Sequence, residues 1–192
     1  MKHEVTTLMT KKALAASLKK FMESRPLSKI TVRDIIEDCG VNRKTFYYHF
    51  QDIYDLVKWM FEEEAIEVVK QYDLIIDYKD AIRFTLDYVE KNKHICNCTI
   101  DTMGRDGLKN FFKKDFINVI GSTVEQLSEG MSVSEDFKLF LINFYTDALA
   151  SVLISWIRDK DHSNKEKMVQ YISVTLYDTI KPVLEKAERE LK

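Results

Sequence analysis

The stretch "ITVRDIIEDCGVNRKTFYYHF", residues 30–50, sets two short apolar patterns on either side of a single glycine. Thr31 can cap a helix whose first turn carries Asp34, with Val32, Ile35 and Ile36 on its inner face. Gly40 permits the positive φ of a sharp turn. Asn42 can then cap a second helix, Arg43 to Phe50. Val32, Ile35, Ile36, Val41, Phe46 and Phe50 would bury together and fix the angle between the two helices. Arg43, Lys44 and Tyr48 are left on the outward face. The unit is a helix-turn-helix.

Outward from this unit the chain reads as helix after helix. Upstream, Leu14, Leu18, Phe21 and Met22 share the face of a helix opening near Thr10. It should end near Ser24, because Arg25 precedes Pro26 and is biased away from helical geometry. Downstream, Asp52 can cap a helix led by Leu56, Val57, Met60 and Phe61 and running toward Tyr72. Further helical stretches follow at about 79–92, 105–128, 134–158 and 165–190, with Pro182 marking a kink or late break in the last. Only 5 Gly and 2 Pro in 192 residues leave few breakers, and no internal repeat is present. The expected fold is all-α: a three-helix helix-turn-helix head, residues 1–52, on a larger helical body, residues 53–192.

The net charge of −2 conceals an asymmetry. Residues 1–60 carry 11 Lys and Arg against 7 Asp and Glu, whereas the remainder carries 18 against 24. A basic N-terminal segment on an acidic body implies that the first part meets a polyanion. Three cysteines, an odd and sparse set, argue against a disulfide scaffold and for a reducing compartment. The N-terminus lacks a signal-peptide core, and the apolar stretch Phe137–Ile157 is interrupted by Asn143, Tyr145, Thr146 and Asp147. A cytoplasmic protein with no membrane partner is expected.

In a helix-turn-helix the second helix enters the major groove of double-stranded DNA, its N-terminal residues reaching base edges. Arg43, with a planar fork of donors, suits a bidentate contact to guanine, and Lys44 suits the same edge or a phosphate. Thr45, Tyr47 and His49 carry donors for backbone phosphates, and Thr31 presents a hydroxyl at a helix N-terminus.

Three pieces of sequence together, Ile30-Thr31-Val32-Arg33-Asp34-Ile35, Gly40-Val41 and Thr45-Phe46-Tyr47-Tyr48-His49-Phe50, resemble the DNA-binding head of the TetR family of transcriptional regulators. The resemblance covers residues 10–60, and the remainder fits the family's ligand-binding and dimerisation body by layout. The body is also similar to that of regulators associated with dihydroxyacetone kinase operons. The resemblance implies base contacts from Arg43, Lys44 and Tyr48, and phosphate contacts from Thr31, Arg33, Thr45, Tyr47 and His49. One position departs from the pattern. Where many members place a lysine just after the Phe, this chain has Ile53, so that contact is missing or comes from Lys58 or backbone amides.

In the body, helix 134–158 is apolar on nearly every side and must be buried on nearly every side. With helix 165–190 it predicts a homodimer through a four-helix bundle, using Leu141, Phe144, Ala148, Val152, Trp156, Ile172, Leu176, Ile180 and Val183. Two heads on a two-fold axis would read a palindromic operator. Phe84, Tyr88, Met103, Phe112, Phe116 and Tyr145 are the candidates for an effector pocket, the effector being a small molecule or a protein. His94, Cys96 and Cys98 could suit a metal, but their spacing is not a paired CxxC, and no cofactor is expected. The expected function is a dimeric DNA-binding regulator, a repressor, modulated by an effector in the body. A protein–protein adaptor or an activator of the same fold is the alternative. A helical enzyme comes last, since no nucleotide loop, nucleophile motif or paired-carboxylate signature is present.

Overall fold

The computed structural model describes residues 2–73, 77–159 and 164–191. Every regular element among them is helical. In chain order these are α1 (Lys2–Met22), α2 (Val32–Cys39), α3 (Arg43–His49), α4 (Ile53–Phe61), α5 (Tyr78–Lys91), α6 (Lys93–Leu127), α7 (Glu135–Arg158), α8 (Lys165–Ile172) and α9 (Asp178–Glu190). A 3-10 turn lies at Leu27–Lys29. A π turn, Glu62–Ile66, and a short helical piece, Glu67–Val69, extend α4, and a second π turn, Ser173–Tyr177, joins α8 to α9. α1 begins well before the Thr10 expected from sequence, and α6 takes in residues 93–104, which periodicity did not assign to a helix. Pro182 sits inside α9 without breaking it; the irregularity of the last helical stretch is the π turn upstream.

The chain divides into two compact units. One is Met1–Glu67 with Asn92–Gly104; the other is Val68–Lys91 with Arg105–Lys192. The first unit therefore continues past residue 52 and recruits the start of α6. Gly104 ends that recruitment: at φ 74 and ψ 171 it interrupts α6 with a conformation that L side chains rarely adopt.

Within the first unit, α1 packs on α2 and α4, and α2 on α3. Leu14, Leu18, Met22, Ile35, Phe46, Leu56 and Met60 are fully buried, so the apolar face of each helix is spent on one core. His94 and Cys98 serve this packing. The His94 ring nitrogen hydrogen-bonds the Met22 carbonyl at the end of α1, at 2.5 Å, and Cys98 Sγ accepts from the Leu27 N–H at 3.1 Å. Burial pushes the Cys96 thiol up to about 12, so its thiolate is disfavoured. No cluster of three His, Cys, Asp or Glu fit for a metal occurs among the described residues.

In the second unit, Ile120 and Val124 of α6, Leu141, Ile142 and Tyr145 of α7, and Ile172, Leu176, Ile180 and Leu184 of the last helices form one apolar cluster. Arg83 clasps Glu166 with two hydrogen bonds, and Lys165 pairs with Asp87 and Glu90, fastening α8 to α5. By length and mean hydropathy (1.5) α7 would suffice to cross a membrane, despite the polar interruptions noted from sequence. One side of it is instead consumed by the core of this unit.

Candidate nucleic-acid interface

The expected interface assembles as local rules dictate. Thr31 and Asp34 form a reciprocal capping box: Thr31 Oγ1 accepts from the Asp34 N–H at 3.2 Å, and Asp34 Oδ2 accepts from the Thr31 N–H at 2.8 Å. Gly40 terminates α2 at φ 66, in the left-handed region. Asn42 Oδ1 then accepts from the Thr45 N–H at 2.9 Å and opens α3. Phe46 is fully buried and Phe50 nearly so, their ring centroids 6.0 Å apart, which anchors one side of α3.

The opposite side of α3 faces solvent. Arg43, Lys44, Tyr47 and Tyr48 are all exposed, Tyr48 to 70%. They fall at i, i+4 spacings that make one patch. The Arg43 guanidinium lies over the Tyr47 ring, 5.5 Å from its centroid, and donates to the Tyr47 hydroxyl at 3.3 Å. Neither Arg43 nor Lys44 pairs with a carboxylate among the described residues. Such cations gain most when an anion arrives, because no resident carboxylate has to be displaced.

The residues expected at phosphates divide into two groups. Tyr47 is exposed, and His49 is partly buried at the C-terminal end of α3 with its ring against that of Tyr48, 4.9 Å between centroids. Burial first, and then the charge of Lys11, hold the His49 imidazole below its ordinary range, which favours the neutral ring. The others are already engaged. Thr31 Oγ1 donates to Asp34 Oδ2 at 2.7 Å, and Thr45 Oγ1 donates to Asn42 Oδ1 at 3.1 Å. Arg33 pairs with Glu37 at 2.7 Å and Lys58 with Glu62 at 3.5 Å. Thr31 also holds the Asp34 carboxyl below the usual carboxylate range. For these four, a phosphate must compete with an internal partner.

At Ile53 the departure is deeper than one side chain. Asp52 Oδ1 accepts from the Asp55 N–H at 2.8 Å, and Asp55 Oδ2 accepts from the Gln51 N–H at 3.0 Å. The start of α4 thus carries two carboxylates in place of a cation.

In the body, the expected pocket residues do not share a described cavity. Phe84 lies beside Tyr72 with the rings tilted at 40° and 6.3 Å between centroids; Tyr88 and Phe116 are partly buried. Tyr145 is a core residue whose hydroxyl bonds the Thr179 hydroxyl at 2.7 Å, and Met103 belongs to the first unit. The side chain of Phe112 lies outside the described residues. The second unit instead holds a cleft of about 320 Å³ lined by Lys70, Tyr72, Asp73, Asn118, Ser122 and Gln126, with Val119 and Thr123. Its polar residues come from two separate segments and carried no periodic signal.

The residues expected at a dimer face divide by their burial in the single chain. Leu141, Trp156, Ile172, Leu176 and Ile180 are buried inside the single chain and cannot present themselves to a partner. Val152 and Val183 are partly buried against the same core. Phe144 and Ala148 do face outward, joined by Leu139 and by Phe140, whose ring stacks on that of Phe144 at 6.1 Å. Tyr171 and Val174 are exposed on the last helical stretch.

Family models match both the N-terminal and the C-terminal part of the chain. Residues 14–60 match the family described as bacterial regulatory proteins, tetR family, and residues 77–178, more than half of the chain, match the C-terminal region of transcriptional regulators of the TetR type. The HTH-type dhaKLM operon transcriptional activator DhaS of Lactococcus lactis subsp. lactis is 28% identical over 87 residues, 45% of this chain and 46% of that protein. The match thus spans under half the relative's length. Among solved structures, a dihydroxyacetone kinase operon activator DhaS superposes with a TM-score of 0.68 at 22% identity, covering 91% of this chain and 97% of that one. A TetR transcriptional regulator from Streptococcus agalactiae superposes with a TM-score of 0.58 at 20% identity, covering 92% and 98%. At these identities the two structures establish the shared fold.

Proposed function

Because the chain belongs to the TetR family of transcriptional regulators, we propose that it binds a palindromic operator as a homodimer, under the control of an effector received by its C-terminal body. The family makes it a DNA-binding regulator and not an enzyme. One observation carries the assignment of the interface to α3. Its buried Phe46 and Phe50 fix the helix, while Arg43 and Lys44 stand outward with no carboxylate partner among the described residues. Arg43 and Lys44, with Tyr48, read base edges; Tyr47 and His49 hold the backbone, and Thr31, Arg33, Thr45 and Lys58 join them by exchanging an internal partner for phosphate.

Dimerisation is supported by the apolar face of α7. Phe140 and Phe144 are 60% and 56% exposed, and a large solvent-facing apolar patch on a regulator calls for a matching surface. A two-fold axis through Leu139, Phe140, Phe144, Ala148, Tyr171 and Val174 sets the same patch against itself. For the effector, the polar cleft at Tyr72 and Asn118 is the proposed entry. Repression is the expectation for the family at large, but the L. lactis relative is named an activator, and activation is the sign we assign. The site of action is chromosomal DNA in the cytoplasm.

A titration of labelled duplexes from the region upstream of the protein's own gene, repeated over a salt series, tests the reading. Affinity for one palindrome should stand well above that for random duplex, and log K should fall linearly with log salt at about 0.9 per phosphate neutralised. Equal, salt-insensitive affinities would remove α3 as the interface. Transcription from that promoter with and without the protein then reads the sign.

A further inference from the structure

Several basic side chains of the first unit already have a carboxylate. Lys12 reaches Glu63 at 3.7 Å, Lys19 pairs with Glu64, Arg33 with Glu37 and Lys58 with Glu62. Lys11 is different. Its Nζ stands 5.5 Å from the ring centroid of Phe50 and 5.5 Å from that of Trp59, two rings whose centroids are 5.8 Å apart. No carboxylate pairs with it among the described residues. The two π faces attract the ammonium and hold its half-buried stem in place without using up its charge.

The location gives that charge a use. Lys11 lies close enough to His49, at the C-terminal end of α3, to oppose protonation of the imidazole. An uncompensated cation next to a neutral donor is a poor arrangement for a bare protein and a good one for a phosphodiester, whose charge would satisfy the first and whose oxygen would accept from the second. The start of α4 offers no comparable cation: it carries the carboxylates of Asp52 and Asp55, which accept from the Asp55 and Gln51 N–H groups. Residue 11 also precedes the stretch 14–60 that matches the family, so the comparison assigns it no role.

We infer that Lys11, presented by α1 and held by Phe50 and Trp59, is a DNA-backbone clamp that takes a phosphate flanking the groove entered by α3, beside His49. This rests on the reading of α3 as the DNA-contacting helix. Lys11 positions the protein on the duplex and carries no sequence preference.

The test is a salt series with the full-length protein on the upstream duplex and on an unrelated one. Lys11→Gln should reduce the slope of log K against log salt by about 0.9 per head and weaken both duplexes by the same factor. Lys11→Arg should keep the wild-type slope, and Lys12→Gln, which removes a cation already facing Glu63, should leave it unchanged. A second measurement needs no variant. Acetylation of wild-type lysines, read by mass spectrometry, should slow at Lys11 and not at Lys12 when duplex is added. A wild-type slope in Lys11→Gln, or equal acetylation of Lys11 with and without DNA, overturns the clamp alone. Wild-type protein without salt-dependent binding overturns the α3 interface with it.

Discussion

Both units expose aromatic rings, but in opposite chemical company. On α3, Tyr47 and Tyr48 stand among Arg43 and Lys44, so the patch combines π faces, hydroxyls and positive charge. On α7, Leu139, Phe140 and Phe144 are exposed together with Asn143 and Ala148, and the nearby Asp147 carboxylate is already paired with Lys109. The first surface is content in water and gains by releasing the counterions of a polyanion. The second gains by leaving water, at roughly 1.5–3 kcal/mol for each Phe fully buried. DNA binding should therefore weaken steeply with salt while self-association holds. Where an aromatic residue is exposed, its neighbours indicate the partner.

The largest expected effect tests whether the two regions are energetically separate. Phe46 is fully buried and holds α3 to the core of the first unit. Phe46→Ala should cost about 3–5 kcal/mol there, enough to remove DNA binding at room temperature. Sedimentation should still report a dimer, because no residue of the apolar α7 face belongs to that unit. Loss of the dimer together with DNA binding would break the contrast between the regions.

The converse change strikes the body. Phe140→Asp with Phe144→Asp places two like charges per chain against their own copies across the proposed two-fold axis. Each buried aromatic anchor lost should cost about 2 kcal/mol or more of association, so sedimentation at micromolar concentration should show a monomer. Its thermal melting should stay near wild type, since both positions are exposed in the single chain. A stable dimer in this variant would place the interface elsewhere.

Arg43→Ala comes next, at roughly 1–3 kcal/mol of operator affinity, with preference relaxed at one base pair. Thr45→Ala should weaken every duplex alike, since the role proposed for it is to position. Competition with single-base operator variants separates the two; a uniform loss from Arg43→Ala would exchange their roles.

The regions also differ in how much of them the sequence discloses. In the first unit the decisive features are local. Thr31, Gly40, Asn42 and Asp52 each act on residues a few positions away, and each occupies the cap or turn that its chemistry implies. The body's features are relational. α7 is apolar on nearly every side, so periodicity identifies it as buried but leaves open which side meets its own chain; Leu141 went inward while Phe140 stayed out, and on α8 Ile172 went inward while Tyr171 stayed out. The helical stretch before Gly104 was not assigned from periodicity, whereas Gly104 itself is a true break: its φ of 74 and ψ of 171 interrupt the helical run there. Lys11 escaped for a related reason: its two aromatic neighbours are about forty or more residues away in sequence.

The smallest effect sharpens the contrast from the head's side. Ile53 occupies the start of α4 between Asp52 and Asp55, where the TetR resemblance implies a lysine and where this chain instead gathers negative charge. Ile53→Lys puts a cation on an already capped helix, where its stem can lie along the surface and its ammonium can extend to solvent. The cap is unchanged, so melting should move little. On DNA, one more neutralised phosphate per head should steepen the salt slope by about 0.9 and tighten all duplexes alike. Combined with Lys11→Gln, the slope should return to the wild-type value, because one cation replaces another at the backbone. If Ile53→Lys leaves the slope unchanged, the flank of α4 does not approach phosphate, and the carboxylates of Asp52 and Asp55 then serve helix capping alone.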